Sequence, residues 1–157
     1  MYEWMSWFTL LLLAQWFFGN LYEAIALVPN LMPLIALKSR AGEALFKTKA
    51  RSPIVYYVPA SALALLLLAV LTATAWLRHA AGVPYIVSAC GLVLLGGVLT
   101  VYIVRSINLE LFFEPPADLV RADRLLVKWQ LLNYLRLTLS LAAIVMMILW
   151  TGTVITP

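Results

Sequence analysis

Four long apolar stretches leave this chain few ways to fold. They cover about residues 4–28, 54–77, 84–107 and 129–151, and short polar links separate them. Each is long enough to cross a hydrocarbon layer about 30 Å thick, which takes about 20 helical residues. Backbone groups in lipid must bond internally, so a spanning chain is either helical or a closed barrel. Barrel strands would be about ten residues of alternating polarity. The run "SALALLLLAVLTATAW" at 61–76 has no such alternation, so helices are expected. Composition agrees: 64% of the 157 residues are hydrophobic and 11% charged, against about 45–50% and about 25% in soluble domains. The sequence therefore predicts an all-α integral membrane protein, a single four-transmembrane-helix bundle over 1–157. The fourth helix is expected to start near 117 and to project into the cytoplasm before crossing.

The flanking charges predict orientation. The link after the first span carries Lys38, Arg40, Lys47, Lys49 and Arg51, and the link before the fourth carries Arg121, Arg124 and Lys128. Between the second and third spans there is only Arg78. Basic links stay in the cytoplasm, so both termini are expected on the non-cytoplasmic side. The net charge of +4 suits contact with anionic lipid. A nucleic-acid partner would need a clustered basic surface, and none is expected. "MYEWMSW" lacks Lys and Arg and no small-residue cleavage site follows, so the first segment is expected to remain as a helix. Trp4, Trp7, Trp76 and Trp150 are expected as interfacial anchors. Pro29 and Pro33 allow two layouts: a helix ending near Val28 with "LMPLIAL" in the interface, which is preferred, or a kinked helix reaching Leu37. Ala60 and Ala64 offer a flat packing face. Glu110, Glu114 and Asp118 read as solvated charge, with Asp118 three residues from Arg121 and within reach of it.

A few polar residues interrupt these spans in a pattern. On a helix, residues four and then three apart share a face. Trp16, Asn20 and Glu23 have that spacing on the first helix, and Trp129, Asn133 and Arg136 repeat it on the fourth, with the charge reversed. Arg105 and Asn108 fall near the end of the third helix, and Tyr56 near the start of the second. An ion within the bilayer costs at least about 2.5–3.5 kcal/mol, and pairing lowers that cost. Glu23 is therefore expected to pair with Arg136 or Arg105 inside the bundle, with Asn20, Asn108 and Asn133 completing the hydrogen bonds. Such a pair can fix helix register alone, or it can mark a pocket. In the second case Trp16, Trp129, Tyr102 and Tyr56 would supply apolar walls suited to a flat hydrophobic ligand.

Several chemistries are excluded by composition. His79 is the one histidine and falls in a short loop, and Cys90 is the one cysteine, suited to small-residue packing. No His/Cys metal set can be assembled, and neither a phosphate loop nor a dinucleotide fingerprint is present. No cofactor is expected. What remains is acid–base chemistry by Glu23 beside an arginine able to hold an oxyanion.

Three stretches, "GNLYEAIALVP", "RSINLELF" and "KWQLLNYLRLTLS", resemble the anthrone-oxygenase-like domain-of-unknown-function family. These are small four-helix membrane proteins, many of them bacterial, so the resemblance implies a bacterial inner-membrane location. It maps the family's recurring asparagine to Asn108, and its helix-four tryptophan and arginine to Trp129 and Arg136. Relatives often carry histidine where this chain has Asn133, so no histidine base is expected here. Some fungal members are linked to oxygenation of anthrones to anthraquinones without a recognised cofactor, so the resemblance implies a protein that binds or transforms a small hydrophobic molecule. As an enzyme it is expected to be a cofactor-independent oxygenase or isomerase, and the residues themselves suggest Glu23 as base and Arg136 as charge stabiliser. A non-catalytic subunit of a larger membrane assembly, or a proton-coupled carrier formed by a homo-oligomer, are the competing readings.

Overall fold

The structure, a computed structural model, describes residues 2–29, 53–113 and 119–155. Four helices make up this part of the chain. Helix α1 covers Tyr2–Tyr22 and continues with wider i→i+5 bonding over Glu23–Leu27. Helix α2 covers Pro53–Leu77. Helix α3 covers Val83–Ile103 and likewise widens over Val104–Phe113. Helix α4 covers Leu119–Ile155. All four are long and apolar enough to cross a membrane, and no strand occurs among the described residues.

Local chemistry explains the bounds. Pro53 opens α2 and Pro84 lies in the first turn of α3, where a missing N–H costs no bond. Helix α3 continues beyond the apolar span to Phe113, because no breaker precedes Pro115. Helix α4 has 37 residues, roughly 55 Å at about 1.5 Å per residue. That exceeds a hydrocarbon core, so an end must project. The interfacial "LMPLIAL" segment and the Asp118 partnership lie outside the described residues. Arg121 instead pairs with Glu110 across α3 and α4 at 2.5 Å.

The helices follow one another around the bundle. Helix α1 packs on α2 and α4, α3 packs on α2 and most extensively on α4, and the diagonal pairs barely meet. This is up-and-down connectivity. Two apolar cores form along the axis. One, toward the Trp4 end, joins Leu13, Leu68, Leu71, Ile86, Ala89 and Met147. Ala60 and Ala64 are buried in it as expected. The other, toward the basic end, joins Val28, Ile103, Ile107, Leu126 and Trp129. Between the helices there is no solvent-driven attraction in lipid, so small residues and hydrogen bonds hold them. Hydroxyls inside the helices are satisfied locally: Thr9, Thr100 and Thr151 each donate to the carbonyl four residues back. The outer surface is aliphatic and aromatic, as at Leu11, Phe18, Leu66, Val98 and Leu131.

Trp4, Trp7 and Trp76 are exposed near one end, the placement expected of anchors. Trp150 is not an anchor. It is 1% exposed and its Nε1–H donates to Ser6 Oγ at 3.1 Å. Ser6 and Gly82 are small enough to admit the indole; a Cβ on Gly82 would lie 2.7 Å from Trp150 Cε3. Burial of a tryptophan requires a partner for its N–H, and Ser6 supplies it.

Candidate intramembrane site

Antiparallel packing of α1 on α4 brings the two polar triplets level with one another. Asn133 Nδ2 donates to the backbone oxygen of Asn20 at 3.3 Å. One turn further, Arg136 Nη2 donates to Glu23 Oε2 at 3.1 Å. The same guanidinium nitrogen also donates to Asn133 Oδ1. Asn133 thus accepts from Arg136 and donates to α1, tying the ion pair to the helix that carries the carboxylate. Asn133 is 0% and Arg136 5% exposed. The arginine is buried, the carboxylate is half-buried, and each charge is compensated within the network, the arrangement that makes burial tolerable.

A cavity of about 330 Å³ adjoins the pair, within the size range of small-molecule sites. Helix α1 contributes Trp16, Asn20 and Glu23, and α4 contributes Arg136. Ser61 comes from α2, and Thr100, Val101, Val104, Arg105 and Asn108 come from α3. Trp16 forms the end of the cavity toward the Trp4 side. Its ring reaches the opposite helix at Gly96, where a Cβ would lie 2.7 Å from Trp16 Cη2. Glycine at that position lets an indole cross the bundle. Both α1 and α3 adopt the wider bonding at this level, and such turns recur at functional sites.

Three polar atoms at the cavity are buried and have no hydrogen-bond partner among the described residues: Asn20 Nδ2, Asn108 Oδ1 and Arg136 Nε. Two are donors from α1 and α4, and one is an amide oxygen from α3. Buried polar groups normally find partners; these three atoms belong to residues that line the cavity, and each is covered by its neighbours rather than open to it.

The expected site residues divide into two groups. Trp16, Asn20, Glu23, Arg105, Asn108 and Arg136 line the cavity, and Asn133 braces the pair from behind. Arg136, not Arg105, is the partner of Glu23. Trp129 stands apart, buried against Ile103 and Ile107 in the inner apolar core. Tyr102 faces outward and accepts from Lys128 Nζ at 2.7 Å. Tyr56 falls on α2, and its side chain lies outside the described residues. Ser61, Thr100, Val101 and Val104 line the cavity as well, beyond the residues expected there. Stepping back from Asn108 by four gives Val104 and Thr100, so helical spacing carried that signal. Ser61, a lone hydroxyl in an Ala/Leu run, carried little. Among the described residues no three His, Cys, Asp or Glu side chains come together.

The family model described as anthrone oxygenase matches residues 52–146. The match spans α2, α3 and most of α4, and so includes Arg105, Asn108, Asn133 and Arg136; Trp16, Asn20 and Glu23 precede it. No curated protein and no solved structure matches the chain. With more than half of its length matched, the chain belongs to the anthrone oxygenase family.

Proposed function

We propose, with that membership as the premise, that the cavity holds a small hydrophobic aromatic molecule and that the protein oxygenates it without a cofactor. The observation that carries this reading is the buried Glu23–Arg136 pair on the wall of a cavity whose Asn20, Asn108 and Arg136 atoms lack partners. Glu23 is the one carboxylate lining the cavity among the described residues, which makes it the base. It removes a proton from a methylene activated by a ring carbonyl. The negative charge that develops on the carbonyl oxygen is met by Arg136 Nε and Asn20 Nδ2 once their side chains turn toward the ligand. The carbanion adds dioxygen to form a peroxide. Loss of the second methylene hydrogen and cleavage of the O–O bond then release water and leave a carbonyl. The net change is CH2 plus O2 to C=O plus H2O, so dioxygen is the oxidant. Trp16 and the valines of α3 keep water from the reacting carbon.

The basic links support an orientation with the cavity in the cytoplasmic half of the bilayer and both termini on the other side. The membrane proposed is the inner membrane of a bacterium.

The test is conversion of anthrone to anthraquinone by the purified protein in lipid nanodiscs under oxygen, read by absorbance and oxygen uptake. Wild type is expected to exceed empty nanodiscs, and Glu23→Gln to return to the empty-disc rate while still folded by circular dichroism. A Glu23→Gln protein as active as wild type would overturn the assignment of the base.

A further inference from the structure

The charge balance of the cavity is uneven. Among the described residues two guanidiniums, Arg136 and Arg105, line it against the single carboxylate of Glu23. Arg136 is the partner of Glu23. Arg105 makes no ion pair or hydrogen bond among the described residues, and the nearby carboxylate of Glu110 is taken by Arg121. Among the described residues one positive charge is therefore left over at a site whose other lining groups, apart from the Glu23–Arg136 pair, are uncharged.

Its depth can be read from α4. The exposed face of that helix is basic at Arg121, Arg124 and Lys128, then apolar at Leu131 and Leu135. The change marks the edge of the hydrocarbon layer. Lys128 is bonded to Tyr102, which fixes the same level on α3. Arg105 follows Tyr102 by three residues and lies on the headgroup side of it. Glu23 and Arg136 lie on the other side, since Arg136 is eight residues beyond Lys128, about 12 Å along the helix. The cavity thus has an exposed cation at its mouth, a compensated pair along its wall and the Trp16 ring at its deep end. That is the complement of an amphiphile with a negative end.

We infer that the ligand is an aromatic anion, whose carboxylate or phenolate meets Arg105 at the headgroup level while its ring system extends inward to Trp16. This rests on the reading of the cavity as a site for an aromatic molecule, and adds the charge and the direction in which that molecule lies. Arg105 is then a positioning residue for the substrate. It does not touch the reacting carbon.

Two probes with the same three-ring body separate the ideas: 9-anthracenecarboxylate, ionised at neutral pH, and 9-anthracenemethanol, which is neutral. Binding is measured to the full chain in phosphatidylcholine nanodiscs, with protein-free discs subtracted. The carboxylate is expected to bind about tenfold more tightly, which is about 1.4 kcal/mol. Arg105→Gln should remove that preference, whereas Lys128→Gln, at the same level but away from the cavity, should keep it. Equal affinities, or a preference that survives Arg105→Gln, would overturn the inference while leaving the aromatic site standing. If neither probe binds, the reading of the cavity fails along with it. Adding phosphatidylglycerol to the discs identifies the occupant of Arg105. A preference that persists supports the aromatic anion. A preference lost in wild type, with the Arg105→Gln protein unaffected by the lipid, assigns Arg105 to a lipid phosphate and overturns it.

Discussion

Arg136 Nη2 and Glu23 Oε2 meet at 3.1 Å although 113 residues separate them in the chain. The contact joins the first and last helices inside the bundle and sets their relative height. Removing one partner leaves the other buried without its counter-charge, which costs about 3–5 kcal/mol in protein interiors. Removing both leaves no stranded charge. Glu23→Gln and Arg136→Gln should therefore each destabilise strongly, and the double variant should lose less than their sum by about 1–3 kcal/mol. Unfolding of the four proteins in mixed micelles measures the coupling, and simple additivity would show that the contact contributes nothing to the fold.

Two asparagines at the site should respond in opposite ways. Asn133 bonds Arg136 and the Asn20 carbonyl, so Asn133→Leu removes one of the hydrogen bonds of each buried group, at about 0.5–1.5 kcal/mol apiece. Asn108 Oδ1 has no partner among the described residues. Asn108→Leu is expected to leave the thermal midpoint of the ligand-free protein unchanged or raise it, while weakening binding of aromatic probes. A residue retained at no benefit to stability is the signature of a functional role. A large loss of stability in Asn108→Leu would place that residue in the structural framework instead.

The degree to which these features could be read from sequence follows from what each depends on. Spans depend on local composition, and the four helices lie where the apolar stretches predict. That Glu23 meets an arginine inside the bundle is legible because so few ions interrupt those spans, but the choice of Arg136 over Arg105 depends on how the helices pack. Trp129 shares a face with Asn133 and Arg136, yet it packs on Ile103 and Ile107 rather than on the cavity. Spacing gives the face of a helix; which neighbour covers each turn of it is decided by how α3 and α4 approach. Trp150 shows the same limit. A tryptophan near a helix end resembles an anchor until Ser6 and Gly82, distant in sequence, are seen to make room for it.

That buried indole gives a third prediction. Ser6→Ala leaves Trp150 Nε1–H without its acceptor in an apolar core, at about 1–3 kcal/mol. In a Trp150→Phe background the same change removes no bond and should be nearly silent. Thermal midpoints of the two single variants and the double variant measure this. An equal shift from Ser6→Ala in both backgrounds would mean that the hydrogen bond at 3.1 Å is not what holds the tryptophan.

Adjacent glycines on α3 provide an internal control for the deep wall of the cavity. A Cβ at Gly96 would come within 2.7 Å of Trp16 Cη2, whereas one at Gly97 would meet nothing within 4 Å. Alanine favours helix over glycine by about 0.8–1.0 kcal/mol in water, so Gly97→Ala should be neutral or slightly stabilising. At Gly96 the same gain is opposed by overpacking of about 1–3 kcal/mol, because Trp16 is 3% exposed and has little room to withdraw. Relief is available on one side: the cavity lies beside the ring, and the indole can swing into it. Gly96→Ala is thus expected to lower the midpoint modestly and to shrink the space for a ligand, weakening a three-ring probe more than a single-ring one. Pairing it with Trp16→Phe, which shortens the ring that meets the new methyl, should restore both properties. Matching behaviour of Gly96→Ala and Gly97→Ala in stability and in probe size would show that Trp16 does not close the cavity against α3.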